Sequence, residues 1–408
     1  MNIFVLNCGS SSVKFQIINT DLDLFETDSD HMVAKGLIEK VGSKEAIYTF
    51  ESAGNMPVKG VEPIADHREA IIKIKKWMEA LGTQIEGIKS FDDIHAVGHR
   101  VVHGAEKFAK SVLIGDEVIK QLEECCDLAP LHNPANLKGI AAITEIFGDK
   151  IPQVGVFDTA FHSTMPEEAY MYAIPYDYYQ KYRIRAYGFH GTSHRYVAYR
   201  YRKINNLPKE KVNVIILHLG NGCSITSVKN GESVFNSMGM TPIEGLIMGT
   251  RCGDIDTGIV EYLLKKGIGS FADIMNILQK KSGMLGVSGI SNDMRDLVES
   301  GEPAARLAVD YFVYQAAKQV GALAAVLGGV DALVFTAGIG ERSADIRRRI
   351  CEASAWLGVT LDPTANAGHG PRITTARSRV SAWVIPTNEE LMIARHTSAL
   401  LGLSGRRA

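Results

Sequence analysis

Apolar and polar residues run along this chain in two rhythms: short runs of period two that read as strands, and longer stretches near period 3.6 that read as helices. The first rhythm opens the chain. Residues 3–6 are uniformly apolar, residues 13–18 alternate, and Asn7-Cys8-Gly9-Ser10-Ser11-Ser12 lies between them. Two antiparallel strands with a tight turn are predicted, and the turn's backbone N–H groups and small side chains suit an anion. The same residues also fit a plain hairpin whose serines satisfy their own turn. A second copy follows: apolar residues 214–219, the turn Gly220-Asn221-Gly222, alternating residues 223–226 and then the hairpin dipeptide Asn230-Gly231. The duplication alone places a domain boundary near residue 155.

Residues 19–31 are polar and read as a loop, and residues 32–39 as a third strand. A helix is predicted over 66–81, because Ile71, Ile74, Trp77, Met78 and Leu81 recur at helical spacing between a capping Asp66 and a terminating Gly82. Residues 94–97 form a short strand that delivers Gly98-His99-Arg100-Val101-Val102-His103-Gly104. Helices are expected at 116–124 and 136–147, with Leu131-His132-Asn133-Pro134 as the turn between them. A buried strand at 154–157 ends in Asp158. Beyond it, the loop 188–194 runs into a helix, and Pro303 opens a long helix to residue 327 that Gly328 stops. Residues 331–336 and 380–385 read as strands, 337–340 as a glycine loop, 344–357 as a helix, and Thr387-Asn388-Glu389-Glu390 as a capping box opening the last helix.

Composition narrows the class. The chain has 408 residues, 46% hydrophobic and 22% charged, which is globular and long enough for two domains. A formal net charge of −2 argues against nucleic acid or an anionic membrane surface as a bulk electrostatic partner, so any basic site is local. The six cysteines form neither a C-x-x-C pair nor a zinc spacing, which suggests a reduced, cytoplasmic setting. Gly328, Gly329 and Asp331 break the most apolar stretch, 323–335, below the length a bilayer needs.

Candidate chemistry is concentrated at strand ends and glycine loops. No G-x-x-x-x-G-K-[ST] occurs, and Gly338-Ile339-Gly340 lacks the third glycine of a dinucleotide fingerprint. His190 and His194 are four apart, as metal ligands can be, but no Glu occupies the position of a base between them. Arg100 and Arg251, with His99, His103, His132, His190 and His218, all fall at strand ends or glycine loops, a pattern that favours an anion site over the alternative of surface ion pairs.

The motifs NCGSSSVK from Asn7, GHRVVHG from Gly98, GFHGTSH from Gly188, HLGNG from His218, MGTR from Met248, GIGE from Gly338 and TNEE from Thr387 together resemble the acetate kinase family, in order and over essentially the whole chain. The resemblance implies an α/β fold of two duplicated actin-like (ribonuclease H-like) domains flanking a nucleotide cleft. Residues 1–155 with 387–408 would form the first domain, and 156–386 the second, carrying the nucleotide site. It further implies a homodimer and reversible, Mg²⁺-dependent transfer of the ATP γ-phosphoryl group to acetate, giving acetyl phosphate and ADP, with Mn²⁺ able to substitute. A carboxylate is already nucleophilic at neutral pH, so such chemistry needs positioning and charge stabilisation rather than a general base.

By this resemblance Asn7 and Glu389 match metal-binding positions, and Lys14 a nucleotide-phosphate contact. Arg100 matches the clamp on the substrate carboxylate, His190 and Arg251 the groups around the transferring phosphoryl, Asp158 a catalytic carboxylate and His132 a further substrate contact. Val102, Leu131, Phe189 and Pro242 match the acyl pocket. His218, Leu219, Gly220, Asn221 and Gly222 match a phosphate loop, as do Gly338, Ile339, Gly340, Glu341 and Arg342 an adenosine loop, with Asp293, Met294 and Arg295 near base and ribose.

The chain departs from the family pattern at Ala105, where glycine is usual, at Phe235-Asn236 (Asp-Thr), Cys252 (Ser), Thr257 (Pro) and Arg342 (Asn). Arg342 bears on nucleotide preference. Cys252, beside Arg251, reads first as an inert small residue; exposure there would instead give it some thiolate character. Two further readings stay open: a propionate or butyrate kinase, which differs in pocket volume, and an actin-like nucleotide-binding module without acyl transfer, which needs no second anion site.

Overall fold

The computed structural model describes residues 1–82, 85, 87–130 and 132–405, with only the backbone of 403–405. It divides into two compact units, Met1–Phe161 with the segment from Asn388 onward, and His162–Thr387. The division falls after residue 155, because the strand reaching Phe157 is paired within the first unit's sheet.

The first unit holds strands β1 (Asn2–Cys8), β2 (Ser12–Asn19), β3 (His31–Glu39), β4 (Ser43–Ser52), β5 (Val58–Ile64), β6 (Ala96–Val101), β7 (Val112–Leu113) and β8 (Gln153–Phe157). They form one sheet in the order β5-β4-β3-β2-β1-β6-β8-β7. The β1–β2–β3 meander is antiparallel, and β1, β6 and β8 run parallel. Because β1 is central, both its faces are covered, and this explains its unbroken apolar run. Phe4 and Leu6 join the core under the helices His67–Leu81 and Asn133–Phe147, whereas Ile3 and Val5 pack with Ile393 and Ala394 of the last helix, Glu389–Gly405.

The second unit repeats this plan with β9 (Val214–Leu219), β10 (Cys223–Lys229), β11 (Glu232–Asn236), β12 (Ala332–Thr336) and β13 (Ser381–Val384). Their order is β11-β10-β9-β12-β13. The meander β9–β10–β11 is antiparallel, and β9, β12 and β13 are parallel. A three-strand meander followed by parallel strands on its first member is thus built twice. Helix Pro303–Leu327, with Pro303 in its first turn and Gly328 closing it in the left-handed conformation, packs on β10 and β9.

Several elements differ from the reading of the sequence. The polar loop at 19–31 contains a helical turn, Leu22–Thr27, which Asp21 caps by accepting from the Leu24 N–H. Strands β4 and β5 were not anticipated, since Val58 and Val61 on edge strand β5 are exposed and blur the alternation. The turn at 131–134 ends sooner than expected: a helix begins at Asn133, and Pro134 sits in its first turn, where no N–H is needed. The glycine loop at 337–340 is a helical turn, Ala337–Arg342. The expected capping box shifts by one residue, with the Asn388 side chain accepting from Leu391 N–H at 3.0 Å while Thr387 bonds elsewhere.

Candidate active site

In the first unit, parallel strands β6 and β8 carry Arg100 and, one residue beyond β8, Asp158 to neighbouring positions. Arg100 grips Asp158 through Nε at 3.0 Å and Nη2 at 2.6 Å, and lies 3.8 Å from Glu389 at the start of the last helix. Asp158 is buried, and Arg100 keeps about a fifth of its side chain exposed, 21%. Burial works against the guanidinium's charge, but the carboxylates of Asp158 and Glu389 outweigh it and raise its pKa. Burial, joined by repulsion from Asp158 and Glu390 and opposed by Arg100, raises the Glu389 carboxyl to about 7. Lys14 on β2 pairs with Glu390, and Asn7 sits opposite Lys14 in the β1–β2 register. Three carboxylates therefore meet two cations here. With Glu389 only partly ionised near neutral pH, these oxygen donors suit a hard divalent cation, which is held by one or two carboxylates and favours their charged form. Among the described residues, no cluster of three or more His, Cys, Asp or Glu forms a protein-only metal cage.

The backbone after Arg100 is held by two asparagines three residues apart on one helix face. Asn136 Oδ1 accepts from Val102 N–H and its Nδ2 donates to Cys8 O, while Asn133 accepts from His103 N–H and donates to His103 O. Neither asparagine was foreseen; the His-Asn-Pro-Ala-Asn spacing was the available signal. Val102 is buried, but β6 ends at Val101, so strand alternation does not set its direction relative to Arg100. His132 provides the carbonyl that accepts from Ala135 and Asn136 N–H. Leu131 lies outside the described residues. His99 turns away from the site: it is buried against Gln153, and burial lowers its pKa to about 4.

In the second unit, His190 precedes helix Gly191–Ile204 and takes a left-handed backbone, φ 56°. For a non-glycine residue this costs about 1–2 kcal/mol. Its ring stacks on His218 at 4.2 Å, and its Nδ1 lies 2.9 Å from Ser224 Oγ. His218, from β9, bonds Ser193, which in turn bonds Thr387. Phe189 is buried and held on both peptide faces by Asn236, whose amide reaches its N–H and its carbonyl.

A Cβ built on Gly222 would lie 3.4 Å from His190 Nε2 and 3.6 Å from Arg251 Nη2. A side chain at 222 would enter the space beside these two groups in ordinary van der Waals contact, and glycine leaves that space to a ligand. Arg251 is anchored by Nη1 to Pro242 O at 2.6 Å, so Pro242, expected in the acyl pocket, contributes its carbonyl to positioning an arginine. Burial lowers the Arg251 pKa, with Cys223 acting in the opposite sense. Cys252 does not gain thiolate character: burial raises its pKa, and its Sγ–H donates to Gly253 O.

Beyond Gly220 and Asn221 a cavity of about 450 Å³ opens, lined also by Asp293, Met294, Arg295, Gly338, Ile339 and Arg342. Asn292, Val298, Glu299 and Ser343 line it too and were not anticipated. Leu219, Gly340 and Glu341 support it from outside. Leu219 and Gly340 are buried, and Glu341 Oε1 accepts from the N–H groups of Ala337 and Thr387. Asp293 caps helix Met294–Glu299 and pairs with Arg295 at 2.6 Å.

A family model described as the acetokinase family matches residues 2–395. The chain belongs to the acetokinase family. It is accordingly a phosphotransferase, and its two sheets are those of duplicated actin-like domains. Similar relatives in this family include the acetate kinase of Chloroherpeton thalassium, 51% identical over 410 residues covering 97% of this chain and 98% of that one. The acetate kinase of Solibacter usitatus is 50% identical over 404 residues, 97% of each chain. Among solved structures, acetate kinase from Porphyromonas gingivalis superposes with a TM-score of 0.90 at 43% identity, covering 98% of this chain and 99% of that one. A propionate kinase from Francisella tularensis reaches the same TM-score of 0.90 at 42% identity, again covering 98% and 99%. Fold similarity therefore does not discriminate between acyl chains.

Proposed function

We propose that this acetokinase-family protein is an acetate kinase that transfers the ATP γ-phosphoryl group reversibly to acetate, by direct in-line displacement, yielding acetyl phosphate and ADP. The observation that carries this reading is the open space over Gly222, flanked by His190 Nε2 and the Arg251 guanidinium. Two fixed donors beside a turn without side-chain bulk suit the equatorial oxygens of a transferring phosphoryl group. The cavity beside Gly220 and Asn221 would take the nucleotide, with Asp293 to Arg295 and Gly338 to Arg342 around its adenosine. Arg100 would orient the acetate carboxylate, Asp158 would hold Arg100 in position, and Lys14 would contact nucleotide phosphate. Val102, Phe189 and His132 would border the substrate.

Asn7 and Glu389 would hold Mg²⁺, or Mn²⁺ in its place, and the surplus of carboxylates around Glu389 fits such an ion. The bound ion would neutralise charge on the β- and γ-phosphates. Cytoplasmic operation is supported by free thiols at Cys8, Cys125, Cys126, Cys223, Cys252 and Cys351. No helix among the described residues is long and apolar enough to cross a membrane. A homodimer is supported by helix Gly258–Lys265, which has no buried residue although Ile259, Tyr262 and Leu264 are apolar, next to exposed Ile268 and Phe271.

The deciding assay traps acyl phosphate with hydroxylamine, using acetate or propionate as acceptor and ATP, GTP or pyrophosphate as donor. Acetyl hydroxamate formed with ATP and Mg²⁺ is the expected product. A higher kcat/KM for propionate would reassign the acyl group, and no hydroxamate with any pair would leave a nucleotide-binding module.

A further inference from the structure

Ser224 on β10 is fully buried and stands between two imidazoles, with its Oγ 2.9 Å from His190 Nδ1 and 2.7 Å from His194 Nε2. A hydroxyl has a single proton to give. If it bonds both rings, donating to one, the other ring must donate to it. Which ring donates is decided by His194. This side chain is completely buried, its ring meeting His162 edge-on at 5.7 Å and lying 5.9 Å from His218. Burial, aided by His162 and His218, pushes its pKa well below the usual histidine value, so it carries one N–H. Its Nδ1 has no hydrogen-bond partner among the described residues. A proton there would be a buried orphan donor, whereas a bare Nδ1 is an under-used acceptor, the more common and less costly situation. The proton therefore sits on Nε2 and is donated to Ser224 Oγ, which leaves the single Ser224 hydroxyl hydrogen to be offered to His190 Nδ1.

We propose that His194 and Ser224 form a relay that fixes the proton of His190 on Nε2, the nitrogen facing the open side of Gly222, so that His190 presents an N–H to the phosphoryl group. His194 and Ser224 are positioning residues; His190 is the group that touches substrate. The inference rests on the acetate kinase reading for its consequence, but not for its geometry. The stack of His190 on His218 holds the ring plane, and the relay sets which nitrogen carries hydrogen. An unheld imidazole would divide its proton between two nitrogens, and in one of those states it would offer a lone pair to an anion.

The test is the two-bond ¹H–¹⁵N spectrum of histidine-labelled protein without substrates, with His190 assigned by its loss in His190→Asn. The expected signature is an imidazole protonated on Nε2 only; a proton on Nδ1 overturns the proposal. In Ser224→Ala the His190 signals should move toward a tautomer mixture. Its kcat should fall about tenfold while KM values for ATP and acetate stay within about twofold. His194→Gln, whose amide N–H can take the place of Nε2–H, should retain the wild-type signature. Ser224→Ala with an unchanged His190 signature overturns the relay even if activity falls. Wild-type protein that forms no acyl hydroxamate defeats the acetate kinase reading and leaves the substrate-free spectrum to judge the relay.

Discussion

Arg251 shows how much a single side chain can be asked to carry. It is anchored through Nη1 to Pro242 O, and its other terminal nitrogen borders the space over Gly222 beside His190. Arg251→Ala is expected to lower kcat by about 10³-fold or more, as when an arginine acting on a transferring phosphoryl is removed. ATP affinity, measured by titration calorimetry, should change little; near wild-type turnover would remove Arg251 from the mechanism. Ala105 makes a complementary point about backbone. Its φ of 49° lies in the left-handed region, so the departure from the family's glycine leaves a side chain where glycine is favoured. Ala105→Gly should relieve about 1–2 kcal/mol of strain, partly offset by about 0.4–1 kcal/mol of extra unfolded-state entropy. The net expectation is a slightly higher urea midpoint with an unchanged slope.

At the scale of elements, side chains outside a segment's own backbone pattern decide its conformation and packing. Helix Ala337–Arg342 has its first N–H satisfied by Glu341, and the carbonyls of Gly340 and Glu341 taken by the fully buried Arg347. That is why a glycine-rich stretch with weak helix propensity is helical here. The last helix is bound to the first unit just as closely. A Cβ on Gly98 in β6 would come within 2.6 Å of Thr397 Oγ1 and 2.8 Å of Ile393 Cγ2. Gly98→Ala should force strand and helix apart and destabilise by about 1–3 kcal/mol, the usual effect of overpacking. Equilibrium unfolding of that variant measures the effect, and an unchanged midpoint would mean that this interface yields freely.

For the whole molecule, acid sensitivity follows from buried neutral histidines. Burial lowers His99 to about 4 and His162 to about 3, below the ordinary value of 6.5. The unfolded chain therefore binds these protons first. The stabilising contribution is intact above pH 6.5 and declines as pH falls toward 4 and 3, with a slope near 1.4 kcal/mol per pH unit for each group titrating only in the unfolded chain. Urea unfolding followed by circular dichroism at steps from pH 7 to 4.5 should show stability falling steadily, and His99→Gln should flatten the slope. Flat stability over that window would show that neither histidine is held neutral. Assembly is tested separately: Tyr262, 59% exposed on the apolar helix Gly258–Lys265, is expected to lie at a dimer contact. Tyr262→Glu should shift the sedimentation coefficient toward a monomer, and an unshifted dimer would place the interface elsewhere.

The sequence by itself determined the two hairpins, the long helix from Pro303 to Leu327 and the family, because these rest on local periodicity, turn residues and contiguous motifs. It also brought forward Arg100, Asp158, His190 and Arg251, since each stands beside glycines or at a strand end. Tertiary structure alone decided which of them meet. Arg100 reaches Asp158 because β6 and β8 pair in parallel, 58 residues apart. The roles of Ser224, Asn133 and Asn136 were silent in the sequence, as a buried serine or asparagine looks the same whether it caps a turn or orients a ring, and His194 drew notice only as a possible metal ligand. Even His99, one residue from Arg100, belongs to Gln153 and the interior rather than to the site, because neighbours on a strand point to opposite faces.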